Sequence, residues 1–356
     1  MTIGAPIAGG TLCGAQRVDS SADEAAAAAR AADVLRAGGL AALPTETVYG
    51  LAALAASPGA VARIYAAKGR PSSNPLIVHV ASLEQAATFA DTSAAAALAD
   101  LWPGPLTAVL PLTDAAAIAP AALAGGTTVA VRIPASPLFR AVCAAAGPLV
   151  APSANRSGRV SPTTAAAVAE ELGAVIDLIV DAGPCPVGLE STVVDLTATP
   201  PRLLRPGATS LAALAARLGT VATGPAADGG APLRSPGLLA SHYAPDAKVR
   251  LDVAAADVGA DEAWLAFGAE TSAAAPERTF RLSLNCDLDE AARGLYEGLR
   301  RLDATGAASI AVSPIPAEGI GLAIRDRLMR AAAPRPDSPA SGGPTTGAPA
   351  SGGPDA

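Results

Sequence analysis

Lysine and histidine are almost absent from this chain: Lys68 and Lys248 are its only lysines, and His79 and His242 its only histidines. Its four cysteines, Cys13, Cys143, Cys185 and Cys286, stand far apart and form no CxxC pair. Neither a disulfide framework nor a thiolate zinc site is expected, and the thiols read as reduced. No HExxH occurs, no GxxxxGK[ST] phosphate loop, no GxGxxG after a strand and no GxSxG elbow. These absences argue against a zinc hydrolase, a Walker-type ATPase, a dinucleotide-dependent enzyme and a serine hydrolase. Aromatic residues make up only 3%, so alanine and branched aliphatics must fill the core. No run of about 20 apolar residues escapes interruption by glycine, proline or charge, which argues against a membrane-spanning helix. The N-terminal MTIGAPIAGGTLCGAQRVDS lacks the basic start and apolar run of a secretory signal, so a cytoplasmic protein is expected.

Charge narrows the partners. A net charge of −7 argues against a protein that grips nucleic acid over a wide face, since such binding displaces counterions with a basic surface. Any RNA binding is expected to be weak or secondary.

At 356 residues the chain is long enough for two domains. Residues 1–20 read as a flexible N-terminus. Ser21-x-x-Glu24 is a capping-box signature opening an alanine-rich helix. Alternating strand and helix signals then run to residue 218, with strands at 40–44, 76–80, 106–111, 127–133, 149–151, 178–181, 192–196 and 202–204. Helices fall near 58–67, 137–146 and 163–172, and another starts at Ser82. This pattern predicts an α/β domain with a mixed sheet over 21–218. Residues 219–246 are a Gly/Pro/Ala-rich linker, and 247–333 form a small Rossmann-like α/β unit. Its last helix signal, 319–330, reads as a cap on that unit's sheet, and the Pro/Gly/Ser/Ala tail, 334–356, as disordered.

Two segments carry chemistry. In Lys68-Gly69-Arg70-Pro71-Ser72-Ser73-Asn74-Pro75, two cations separated by one glycine sit on a proline-stiffened loop. Lysine offers a point charge and arginine a planar fork, a pair suited to polyphosphate; a bare KxR is otherwise a solvated basic loop. An apolar strand then delivers His79. The second segment, residues 151–163, follows a short strand and precedes a helix, so its hydroxyls, amide and backbone N–H groups form a plausible phosphate cradle. Its plainer reading is a capping loop. Arg132 ends one strand and suits a carboxylate; Glu190-Ser191-Thr192 and Arg205-Pro206-Gly207 lie at other strand ends, where α/β ligand sites gather.

In order, PTETVYGL (44–51), KGRPSSNPLIVHV (68–80), LWPGPLT (101–107), TVAVRIP (128–134), APSANRSGRVSPT (151–163), GLESTVVD (188–195), LLRPGATS (203–210) and SPGLLASHYAP (235–245) resemble the YrdC-like threonylcarbamoyl-AMP synthases in their longer, two-domain form. The resemblance covers about residues 20–333. It implies an open, twisted mixed sheet around a large positive cavity, followed by the Rossmann-like domain. It also implies a nucleotidyltransferase reaction: L-threonine, bicarbonate and ATP, with Mg2+ accompanying the nucleotide, give threonylcarbamoyl-AMP for proteins that transfer it to tRNA. By position, Thr47, His79, Arg132, Ser191 and the backbone at Ala151 align with groups that hold L-threonine. Lys68, Arg70, Asn74, Thr128, Ser153, Asn155, Ser161 and Arg205 align around ATP, with Lys68 and Arg70 the catalytic cations and His242 and Tyr243 brought in by the lid. No protein metal ligands are implied. The chain departs from the family at Leu238-Leu239-Ala240-Ser241, where basic or aromatic residues are usual. An RNA-binding module is the reading from another class, and the acidic balance opposes it. A carbamoyl-transferring maturation factor is a further enzyme reading, opposed by the missing CxxC pairs.

Overall fold

The computed structural model describes residues 14–224 and 242–334. The first unit contributes strands β1 (Gln16–Asp19), β2 (Ala41–Leu43), β3 (Gly50–Leu54), β4 (Ile77–His79) and β5 (Leu106–Pro111). Then come β6 (Thr128–Arg132), β7 (Leu149–Val150), β8 (Leu178–Asp181), β9 (Thr192–Asp195) and β10 (Arg202–Arg205). Its helices are α1 (Glu24–Arg36), α2 (Pro58–Lys68), α3 (Leu83–Ala86), α4 (Pro120–Leu123), α5 (Pro137–Ala146), α6 (Ala165–Leu172) and α7 (Leu211–Leu218). The ten strands form one mixed sheet in the order β1-β8-β2-β3-β7-β4-β6-β5-β9-β10.

Small residues let both faces of this sheet be covered closely. Alternation in β2 sends Ala42 to one face, with Val61 and Ile64 of α2, and Ala41 and Leu43 to the other. On that second face α1 lays down Ala27, Ala28, Ala31, Ala32 and Leu35, a helical stripe packed with Leu138, Phe139 and Val142 of α5. Alanine replaces the missing aromatics here by close approach rather than by bulk.

The second unit has four parallel strands in the order β11-β14-β12-β13: β11 (Lys248–Arg250), β12 (Ala263–Phe267), β13 (Thr279–Ser283) and β14 (Ser309–Val312). Helices α8 (Leu288–Asp303) and α9 (Gly321–Ala332) cover it. Asp287 caps α8 through the N–H groups of Asp289 and Glu290, and Arg300 and Arg301 close its last turn, where cations complement the helix dipole.

Several sequence expectations need correction. Residues 16–19, assigned to a flexible N-terminus, form β1, an exposed edge strand paired with β8 and tied by Arg17 to Asp181 at 2.5 Å. Its charged, short sequence carries no apolar period to betray it. Ser21 caps nothing; Asp23 is the N-cap of α1 and accepts from Ala26 N. Strands β3 and β13 are not among the strands expected from the sequence, the first because four buried residues in a row followed by a half-buried one show no alternation. The helix at Ser82 is capped by that serine but lasts one turn. Residues 1–13, most of the linker and nearly all of the tail lie outside the described residues.

Gly207 lies where the chain after β10 passes the start of β9. A Cβ there would stand 2.7 Å from Ser191 C and 2.8 Å from Glu190 O, backbone atoms that cannot swing away. Gly207→Ala should therefore lower unfolding stability by about 2–3 kcal/mol in a urea titration. An unchanged midpoint would show that β9 yields at this point.

Candidate active site

Sheet register assembles the site. His79 at the end of β4 pairs with Arg132 at the end of β6, Arg132 pairs with Thr107 near the start of β5, and Thr107 pairs with Val193 of β9. Ser191, just before β9, meets the same row: its Oγ lies 2.7 Å from Thr107 Oγ1. Gly50, ending PTETVYG, bridges Ser153 just after β7. One edge of the sheet thus collects the ends of strands far apart in sequence.

Lys68 ends α2, where Gly69 at φ 59° terminates the helix as a left-handed cap. Its Nζ donates to the carbonyls of Ser153 (2.6 Å) and Asn155 (2.5 Å), joining the two chemistry-bearing segments. Burial, then repulsion from Arg70, pushes the Lys68 ammonium well below its ordinary pKa. Arg70 is folded onto its own loop, donating to the carbonyls of Asn74 (3.3 Å) and Pro75 (3.0 Å). Burial, with Arg205 nearby, lowers it to about 10. Arg205 reaches Ser191 through Nε to the carbonyl (3.0 Å) and Nη2 to Oγ (3.1 Å).

Arg132 is buried beside Glu46, with Nη2 at 2.8 Å from Oε1. The approach is that of an ion pair without hydrogen-bond alignment, so Arg132 Nε and Nη2 and Glu46 Oε1 remain without hydrogen-bond partners. Both polar side-chain atoms of Asn74, Asn155 Oδ1 and His242 Nδ1 are likewise buried and unpartnered among the described residues. An unsatisfied buried polar atom costs about 1–3 kcal/mol, so their concentration at one site implies a polar ligand.

His79 places Nδ1 3.3 Å from Ile77 O, the pairing of a neutral ring with Nε2 as acceptor. Thr47 is fully buried, 2.8 Å from Thr45 Oγ1. Ala151 spends its N–H on Ile77 O at 3.2 Å. Ser161 Oγ donates to Glu190 Oε1 at 2.6 Å. Thr128 sits apart, half-buried at the opposite end of β6 from Arg132, and among the described residues no hydrogen bond joins its side chain to the cluster. His242 and Tyr243 are buried, rings 4.1 Å apart, with Tyr243 at φ 61°, a conformation that a bulky side chain rarely adopts. Of the lid expected over Ser235–Pro245, residues 235–241 lie outside the described residues.

The sequence analysis singled out Glu190 only as a strand-end residue, and did not single out Glu46, Thr107, Tyr296 or Arg327. Arg327 also corrects the reading of α9 as a plain cap: it is fully buried and donates through Nε to Glu190 at 2.9 Å. Arg327 stands on the apolar side of α9 with Ala323, Ile324, Leu328 and Ala331, a position whose period was readable but whose partner was not.

Both histidines are neutral when folded. Burial and then nearby cations hold His79 well below its ordinary value and His242 at about 3. An unfolded histidine titrates near 6.5, so the unfolded chain takes up these protons first. Stability is therefore complete above about pH 6.5 and is lost as pH falls below it. Between pH 6 and 5, before carboxylates dominate, each histidine should contribute a decline of up to about 1.4 kcal/mol per pH unit. Urea titrations across that range should show a much flatter dependence in a His79→Gln, His242→Gln double variant; retention of the full slope would refute the assignment.

Comparison with known proteins accords with this geometry. The family described as "Telomere recombination" (Sua5, YciO and YrdC) matches residues 33–207, and "Threonylcarbamoyl-AMP synthase, C-terminal domain" matches 209–333. Threonylcarbamoyl-AMP synthase of Pyrococcus abyssi is 40% identical over 324 residues, covering 86% of this chain and 94% of that protein. The Bacillus subtilis protein of the same name is 38% identical, covering 86% and 93%. The crystal structure of P. abyssi Sua5 complexed with L-threonine superposes with a TM-score of 0.79 at 37% identity, over 89% of this chain and 96% of the other. This chain belongs to the threonylcarbamoyl-AMP synthase family, in the form that joins the YrdC-like domain to the threonylcarbamoyl-AMP synthase C-terminal domain.

Proposed function

We propose that this chain converts L-threonine, bicarbonate and ATP into threonylcarbamoyl-AMP, pyrophosphate and water, the first step of threonylcarbamoyladenosine formation in tRNA. The observation that carries the reading is the buried row His79–Arg132–Thr107–Ser191 set beside the cations Lys68, Arg70 and Arg205. One half suits an amino acid and the other a polyphosphate.

The threonine carboxylate takes the undirected N–H groups of Arg132, whose guanidinium also lies against Glu46. His79 Nε2 accepts from the substrate's hydroxyl or amine. Threonine's amine and bicarbonate form an N-carboxy group with loss of water; its oxygen attacks the α-phosphorus, and the bond to pyrophosphate breaks. Two anions must meet, and Lys68, Arg70 and Arg205 offset their repulsion. No covalent protein nucleophile is needed.

Magnesium enters this scheme as part of the nucleotide substrate, held by phosphate oxygens. The donor set fits that role: Glu46 and Glu190 are each committed to an arginine, and among the described residues no group of three His, Cys, Asp or Glu side chains gathers. Transfer proteins for tRNA then consume the adenylate. We place the reaction in the cytoplasm, where ATP is supplied and thiols such as the free Cys143, Cys185 and Cys286 stay reduced. No helix among the described residues is long and apolar enough to cross a membrane.

Purified protein with ATP, magnesium, threonine and bicarbonate should release pyrophosphate, and omitting threonine or bicarbonate should abolish it. Release that ignores both omissions would sink the reading. In the same assay Lys68→Ala should lower kcat/KM by at least about 100-fold, while Lys248→Ala, at an exposed edge of the second sheet, should change it less than about twofold. Equal effects would remove Lys68 from the site.

A further inference from the structure

Glu190 has no part in the reaction as drawn, yet its carboxylate is one of the points where the two units meet. It accepts three hydrogen bonds: from Ser161 Oγ at 2.6 Å, from Tyr296 OH at 2.7 Å and from Arg327 Nε at 2.9 Å. Ser161 belongs to the nucleotide segment, Tyr296 to α8 and Arg327 to α9. Arg327 is itself anchored, with Nη1 on Asp326 at 2.6 Å and its guanidinium 5.6 Å from the Tyr243 ring, which stacks on Tyr296. Helix α8 grips the same segment a second time: Arg300 donates to the Val160 carbonyl and to Glu171, whose other oxygen takes the Arg156 N–H at 2.8 Å.

The proton count at Ser161 follows from these contacts. A hydroxyl has one proton to give, and this one is given to Glu190. Burial alone would raise the Glu190 carboxyl, but Arg327, Arg205 and the Ser161 hydroxyl outweigh it and hold it at about 2, so it has no proton to return. Ser161 Oγ therefore has only lone pairs left for a ligand. A phosphate oxygen, also an acceptor, gains nothing from it; a ribose hydroxyl or the amino group of adenine does.

We propose that Glu190, Tyr296 and Arg327 are positioning residues through which the C-terminal domain fixes Ser161 as a hydrogen-bond acceptor that reads the nucleoside part of ATP. The proposal rests on the reading that this site binds ATP, and it gives the C-terminal domain a role in nucleotide selection.

The test is a thermodynamic cycle on the full-length chain, with affinities for ATP, 2′-deoxy-ATP, 3′-deoxy-ATP and inosine triphosphate measured by titration calorimetry. In the unaltered protein at least one analogue, lacking the donor that Ser161 receives, should bind about three- to tenfold more weakly than ATP. Ser161→Ala should erase that gap by weakening ATP alone. Tyr296→Phe, which removes one hydrogen bond and keeps the ring, should narrow the same gap while threonine affinity stays within about twofold. Arg327→Lys, keeping the charge, should narrow it less than Arg327→Met. If Arg327→Met does not fold, the Ser161 and Tyr296 variants still decide the matter. Analogue gaps that persist unchanged in Ser161→Ala, or a lowered melting temperature in Tyr296→Phe with an unaltered gap, overturn the proposal and leave only a structural contact. Failure of the unaltered protein to bind ATP overturns the functional reading itself, a result distinct from either.

Discussion

Five cationic side chains, Lys68, Arg70, Arg132, Arg205 and Arg327, are buried around one edge of the large sheet against two buried carboxylates, Glu46 and Glu190. Much of the surrounding structure can be understood as the means of holding that excess positive charge inside. Removing a charge from water is unfavourable unless it is paired or hydrogen-bonded. Lys68 and Arg70 are accordingly bound to loop carbonyls, Arg205 to Ser191, and Arg132 and Arg327 to the two acids. The result is a positive interior in a chain whose net charge is −7. Inside, where screening by salt is weak, that field acts on phosphate and carboxylate far more strongly than a basic surface could.

This constraint also explains why the second unit is more than an appendage. Without Arg327 and Tyr296, Glu190 would be a buried carboxylate facing only Ser161 and the nearby Arg205. With them it is an ionised, three-fold acceptor, and the segment carrying Ser153, Asn155 and Ser161 is tied to α8 and α9. Fragments of the first unit alone would lack these contacts. Positioning within a fraction of an ångström is what reaction by alignment and charge compensation requires.

Much of the scaffold was legible because its signals are local. Strands such as Leu106–Pro111 and Leu178–Asp181 and helix Pro137–Ala146 announce themselves by apolar runs, period and flanking proline or glycine. The chemistry was legible for a different reason: KxR and the SxN segment are short stretches whose residue types suit anions, and an ordered series of motifs placed them in a family. What escaped was non-local. Glu46 and Glu190 lie inside motifs already noticed, but nothing in the sequence says that one faces Arg132 and the other Arg327, 137 positions away. Arg327 occupies a core position of an amphipathic helix, and a charge there signals a partner without naming it. Thr128 illustrates the converse: motif position assigned it to the nucleotide, while the strand carries it to the far end from Arg132.

The same electrostatics couples protonation to ligand binding. In the unliganded protein the crowding of cations disfavours a proton on Lys68, whose ammonium is pushed down by burial and Arg70, and on His242, which is pushed down by burial and by Lys68, Arg70 and Arg205. Bringing a triphosphate into that cluster reverses the sign of the local potential and favours the protonated lysine. Lysine, a compact point charge, responds to burial and to neighbouring charge more readily than arginine, whose guanidinium keeps its proton in proteins. That difference gives a physical reason for the position before Gly69 to be lysine in a chain that otherwise uses arginine almost throughout.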